Sequence, residues 1–135
     1  MDWSRRAPEL APCLLGVLRI GAAVLFLQHG TAKLFGVPHV AMFDGLTLFS
    51  LLGAAGIIEV VGGLLLLFGL FTRPAAVVLA VEMAVAYGVA HAGKALLPIH
   101  NQGELALLYM LVFIYFAAAG PGRFALDRAG ARPEI

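Results

Sequence analysis

The chain has 135 residues, of which 61% are hydrophobic and 13% charged, with a formal net charge of +1 and a mean hydropathy of +0.95. That length holds one domain, and the hydropathy excludes an ordinary water-facing surface, so the composition points to a protein embedded in a lipid bilayer. The small net charge gives no electrostatic reason to expect nucleic acid as a partner. The single cysteine, Cys13, excludes an internal disulfide or a CxxC redox pair.

Arg5 and Arg6 precede the first apolar stretch, 13–35, whose length, internal Arg19 and lack of a small-x-small cleavage pattern predict a retained span and not a removed leader. The second stretch is 46–71, the third 74–92 and the fourth 103–120. At ~1.5 Å of rise per residue each approaches the ~30 Å hydrocarbon thickness once its flanks are included. Thr72, Arg73 and Pro74 predict a tight turn between the second and third spans, which puts the longer loops, 36–45 and 93–102, together at the opposite side. Residues from about Ala129 read as a polar tail. Arg5, Arg6, Arg73, Arg123, Arg128 and Arg132 then fall on one side against Lys33 and Lys94 on the other, and the positive-inside rule turns the arginine side to the cytoplasm. The expected fold is all-α: an integral membrane four-transmembrane-helix bundle with both termini inside.

Charges within hydrocarbon cost ~2.5–3.5 kcal/mol at a helix centre, so each predicts a partner or a wet cavity. At 100° per residue, Arg19, Ala22, Ala23, Phe26, His29, Gly30 and Lys33 share one face of the first span, which must point into the bundle. Gly53, Gly56, Glu59 and Gly63 share a face of the second, the glycines allowing close approach to another helix or to a second protomer. Glu82 sits at a similar depth in the third. Depth alone suggests that Arg19 pairs with Glu59, Glu82 or both. A second cluster forms on the other side from His29, Lys33, His91, Lys94, His100, Asn101, Gln102 and Glu104, with Glu104 and Tyr115 on one face of the fourth span.

Two readings attach to these groups. Arg19, Glu59 and Glu82 are either a structural ion-pair lock or an anchoring site for a ligand. The histidines are either solvated loop residues or the donors of a ligand site; they lack the tight helical spacing of metal ligands, so no metal is assigned. Phe26, Tyr109, Phe113 and Tyr115 supply aromatic walls suited to a quinone or another flat lipid-soluble molecule. No Walker A, GxGxxG, CxxCH or GxSxG pattern occurs, so nucleotide chemistry would belong to a partner.

LLGVLRIGAAVLFLQHGTAKLF, with Arg19, His29, Gly30 and Lys33, AAGIIEVVGGLLLLFGLFTRPAA, with Glu59, Gly62, Gly63, Gly69, Thr72 and Arg73, HNQGELALLY with Glu104, and the final GPGRFALD occur in an order and spacing that resemble the DoxX family of small bacterial membrane proteins. The resemblance covers most of the chain. It implies a four-helix bundle in the inner (plasma) membrane, and a subunit of an oxidoreductase complex that passes electrons from a reduced sulfur compound to membrane quinone with a partner subunit. The lone Cys13 departs from a self-sufficient thiol enzyme. Distant relatives of this type include membrane chaperones and cargo receptors, so a non-catalytic assembly or docking protein is the second expectation, and a small-molecule or proton pathway formed by a homo-oligomer the third. For the first, His29, Glu104, Lys33 and His100 are the expected catalytic residues. Arg19, Glu59, Glu82 and Tyr115 are expected to bind the quinone.

Overall fold

A chain crossing hydrocarbon must satisfy its own backbone polar groups, and the helix does so within one segment. The computed structural model describes residues 3–129; the predicted polar tail beyond residue 129, with Arg132, lies outside the described residues. In chain order it contains α1 (Trp3–Phe35), a 3-10 turn (Ala41–Phe43), α2 (Leu51–Phe68), α3 (Thr72–Ala90), the short α4 (Pro98–Asn101), α5 (Glu104–Ala119) and the short α6 (Leu126–Ala129). Helices α1, α2 and α3 are long and apolar enough to cross a membrane, and the 16-residue α5 is a shorter apolar helix beside them.

The boundaries differ from the hydropathy reading for identifiable reasons. Helix α1 starts at Trp3, not near residue 13, and at ~1.5 Å per residue its 33 residues reach ~50 Å, well beyond the hydrocarbon core. Hydropathy marks where a helix meets lipid, not where its hydrogen bonds begin. Helix α2 starts at Leu51, not near 46, because the Ser50 hydroxyl caps it by accepting the Gly53 N–H at 3.1 Å. It ends at Gly69, whose φ of 65° is the left-handed cap that glycine adopts without a Cβ clash. The turn to α3 is therefore built from residues 69–71, and Thr72, Arg73 and Pro74 already belong to the first turn of α3.

Helix α1 packs on α2, α2 on α3 and α3 on α5. Gly30 lies against Glu59 and Val60, Gly56 against Lys33 and Leu34, Gly63 against Leu27, and Gly62 against Leu79 of α3. Gly56, Gly62 and Gly63 are thus used inside the protomer, against α1 and α3, while Gly53 lies against the carbonyls of Thr47 and Leu48 ahead of α2. Phe26, Leu66, Leu79, Met83, Tyr109, Phe113 and Phe116 form the core. Outward, Leu25, Val61, Val78, Val81, Val85, Leu108, Leu111 and Ile114 are all exposed. Continuous apolar rows of this extent do not face water; they are the lipid surface of a membrane protein.

Candidate functional site

The polar groups divide into two constellations, one at each end of the bundle. At the end where α1 begins, α2 stops and α5 finishes, the guanidinium of Arg19 is completely buried. Its Nε donates to the Pro121 carbonyl at 2.8 Å, one terminal nitrogen to the carbonyls of Leu66 and Leu67, and the other to Arg123 O at 3.2 Å and Phe124 O at 2.7 Å. The planar fork of five donors suits such a set of diverging carbonyls. It also places a cation at the negative end of the α2 dipole. The predicted pairing of Arg19 with Glu59 or Glu82 is thus corrected: Arg19 ties the last turn of α2 to the GPGRFALD segment. Gly122, at φ 70°, lets that segment run against the backbone of Pro12 and Gly16, where Arg123 N donates to Pro12 O at 2.9 Å.

Asp127 closes the same knot. Its carboxylate accepts the N–H groups of Phe71 at 2.7 Å and Thr72 at 2.9 Å, capping α3 from 55 residues away in sequence. Burial pushes the carboxyl upward, but the Thr72 and Phe71 N–H groups and the Arg19 charge outweigh it and hold Asp127 below the usual carboxylate range. A lowered folded value means that the stabilisation is complete above the unfolded value of about 3.9 and disappears as pH falls through the lower folded one. Asp127→Ala is expected to cost ~1 kcal/mol at neutral pH, as for other lost caps. Thermal midpoints in detergent should show the gap to wild type shrinking below about pH 4; a gap unchanged down to pH 3 would count against the cap.

At the opposite end, Lys33 Nζ lies 2.5 and 2.7 Å from the two carboxylate oxygens of Glu59, with side-chain exposures of 9% and 3%. Phe43, from the 3-10 turn, places its ring centroid 5.3 Å from the ammonium and covers the pair from outside. Glu82 is the third member of this group by charge, facing Glu59 and Lys33, yet both its carboxylate oxygens are buried without a hydrogen-bond partner.

Beside the ion pair is a cavity of about 250 Å³ lined by Phe26, His29, Lys33 and Glu59 together with Met42, Met83, Ala86, His91, Gln102, Leu105, Ala106 and Tyr109. One wall is aromatic. The His29 and Tyr109 rings meet edge to face at 6.0 Å, Phe26 and Tyr109 at 5.1 Å, and Tyr109 stacks on Phe113 at 5.6 Å. Both His29 and Tyr109 line the cavity, and neither the His29 ring nitrogens nor the Tyr109 hydroxyl are engaged in a hydrogen bond among the described residues, so both keep unspent capacity.

Of the expected site residues, the cavity gathers His29, Lys33 and Glu59. Glu104 is exposed in the first turn of α5, where its charge complements the helix dipole, and His100 is exposed on α4. Tyr115 is at the other end, half-exposed beside Pro12, Arg73 and Asp127. Asn101 is fully buried and structural: its amide donates to Tyr87 Oη and Ala95 O, both at 3.0 Å, and its side-chain oxygen accepts Gly103 N–H at 2.8 Å. His91 and Gln102, which the sequence already grouped with His29 and Lys33, are cavity walls. Met42 and Met83 carried no signal, because methionine fills irregular space without a spacing of its own. Among the described residues no three His, Cys, Asp or Glu side chains come together as a metal site.

The DoxX family profile matches residues 14–92, more than half of the chain. The chain belongs to the DoxX family. It is 51% identical over 120 residues to a protein of Haemophilus influenzae described only as uncharacterised, a match covering 86% of this chain and 90% of that one. An uncharacterised membrane protein of Mycobacterium tuberculosis is 27% identical, with 94% and 87% covered. A Bacillus subtilis protein bearing the name "Putative oxidoreductase CatD" is 31% identical, with 82% of each chain covered. No solved structure matches. In this DoxX protein the matched segment carries Arg19, His29, Lys33, Glu59 and Glu82, whereas Tyr109 and the GPGRFALD latch lie beyond it.

Proposed function

We propose that this DoxX protein is the membrane subunit of a quinone-linked oxidoreductase complex and that the cavity at His29 receives the quinone head. In this reading α5 is a fourth span, completed by its flanking residues, and the inner membrane holds the bundle with both termini in the cytoplasm. The latch contacts support that topology, since they gather Pro12, the α2–α3 turn and the end of α5 at one pole. Arg5, Arg6, Arg73, Arg123 and Arg128 belong to that pole, and the positive-inside rule then sets its side.

The observation that carries the reading is the pairing of two unspent ring donors, His29 and Tyr109, with an aromatic wall in a small cavity of a lipid-embedded bundle. Residues present fit a quinone head: Phe26 and Tyr109 would hold a flat ring, and His29 and Tyr109 would donate hydrogen bonds to its carbonyl oxygens. A bound quinone supplies the two-electron, two-proton acceptor, with electrons delivered by a partner redox subunit. The chain's own work is to orient the ring, exclude water and deliver protons. The His29 imidazole can both donate and accept a hydrogen bond, which lets it pass a proton. Lys33 and Glu59 hold the wall of the cavity in place through their ion pair.

The test is solvent extraction and mass spectrometry of protein purified in mild detergent. Wild type should carry near-equimolar quinone, and His29→Ala should fold normally with at least about ten-fold less, the loss of one hydrogen bond of ~1.4 kcal/mol or more. Equal quinone in both proteins removes His29 from the site. A wild type that neither carries nor takes up quinone overturns the reading and leaves the assembly or docking role.

A further inference from the structure

An apolar groove of about 390 Å³ runs along the seam between α1 and α5, and it shares Leu105 and Tyr109 with the polar cavity. The seam is the open side of the bundle. Helix α1 packs backbone to backbone with α2, and α5 with α3, whereas α1 and α5 meet through the Phe26, Tyr109 and Phe113 rings. From Tyr109 the groove descends past Leu25, Val112 and Gly21 to Val17, open to the surrounding lipid. The neighbouring groove between α2 and α3 touches the cavity only through Ala86.

We infer that the α1–α5 groove is the tail site of a ligand whose polar head occupies the His29 cavity, so that the protein selects a head bearing a long apolar chain and admits it sideways from the bilayer. The inference rests on the quinone reading above and extends it to the isoprenoid tail. Tyr109 is, with Leu105, common to both compartments: its hydroxyl serves the head, while its ring flanks the chain. Together the compartments fall within the ~300–1,000 Å³ usual for small-molecule sites, whereas the cavity alone falls short of it. A head-only ligand leaves the groove to bulk lipid and draws no affinity from it. A tailed ligand covers its length.

Gly21 provides a test with little structural cost. It is exposed at the floor of the groove, and a Cβ built there meets nothing within 4 Å. Gly21→Leu therefore fills the tail path without touching the core, and Val17→Phe, at a residue 58% exposed, does so lower down. Wild type and both variants in nanodiscs are titrated with a long-chain prenylated benzoquinone and with its tail-less analogue, the bound fraction being read by mass spectrometry. The tailed quinone is expected to bind wild type at least about ten-fold more tightly than the analogue, and Gly21→Leu to remove most of that preference while analogue binding stays within about two-fold. Equal affinity of wild type for both quinones overturns the tail site and leaves the head site standing. So does a Gly21→Leu variant, together with Val17→Phe, that retains the full preference, including the case in which it loses co-purified phospholipid instead, which would assign the groove to an acyl chain. Equal weakening toward both quinones indicates a disturbed cavity and also counts against the groove. Failure of wild type to bind either compound overturns the quinone reading itself.

Discussion

Arg19→Met is expected to yield no stable, monodisperse protein. The five carbonyl contacts of Arg19 join α1, the end of α2 and the segment after α5, and all five lose the guanidinium at once, Leu66 O keeping the Gly69 N–H at 3.2 Å. Each buried acceptor left unpaired costs about 1–3 kcal/mol, so the sum rivals the ~5–15 kcal/mol by which a whole domain is stable. Arg19→Lys keeps the charge but offers one compact ammonium in place of a fork, and it is expected to fold with a clearly lowered thermal midpoint. The measurement is size-exclusion profile and thermal midpoint in the same detergent for all three proteins. Wild-type behaviour of Arg19→Met would show that the latch does not hold the bundle together and would return Arg19 to the pool of candidate ligand-binding groups.

The second large effect belongs to Lys33. Lys33→Met removes the only cation facing Glu59 and Glu82 in this part of the bundle, among the described residues. Breaking one partner of a buried ion pair costs ~3–5 kcal/mol, because the remaining charge stays buried without compensation. Replacing both partners, Lys33→Met with Glu59→Leu, is expected to restore most of the stability, since two apolar side chains carry no desolvation penalty. The double variant also separates the two meanings of the pair. Retained quinone binding in it makes Lys33–Glu59 a structural lock that shapes the cavity wall; loss of binding with stability restored gives the pair a direct part in holding the ligand. A double variant as unstable as Lys33→Met would reject the account of uncompensated charge.

Both variants concern groups that the sequence pointed to, and the difference between what it foretold for them is instructive. The inward face of α1 was legible because a 3.6-residue period fixes which side chains lie together: Arg19, Ala23, Phe26 and Gly30 are buried, and Lys33 nearly so. Their partners were not. Depth along the membrane is one coordinate, and on that count Arg19 lies within side-chain reach of both midplane carboxylates, which left three choices of partner for it: Glu59, Glu82 or both. The structure chose a fourth, in which Arg19 turns to main-chain carbonyls. Carbonyls at a helix end carry no signature in the sequence, because every residue has one. GPGRFALD was recognisable as a motif, yet that Asp127 caps α3 depends on a contact across 55 residues.

Composition and period thus determined that this protein lives in a bilayer as apolar helices, which residues of α1 face inward, and that acids and bases are enclosed among them. Those properties follow from transfer free energy and helix geometry, which act locally along the chain. Tertiary structure alone decided that Lys33 and not Arg19 neutralises Glu59, that Tyr109 joins His29, His91 and Gln102 around a cavity, and that His100, Glu104 and Tyr115 stand apart from it. Which helix lies beside which, and at what rotation, is set by the fit of small residues against large ones, such as Gly30 on Val60 and Gly62 on Leu79, and that fit exists only once the helices have met.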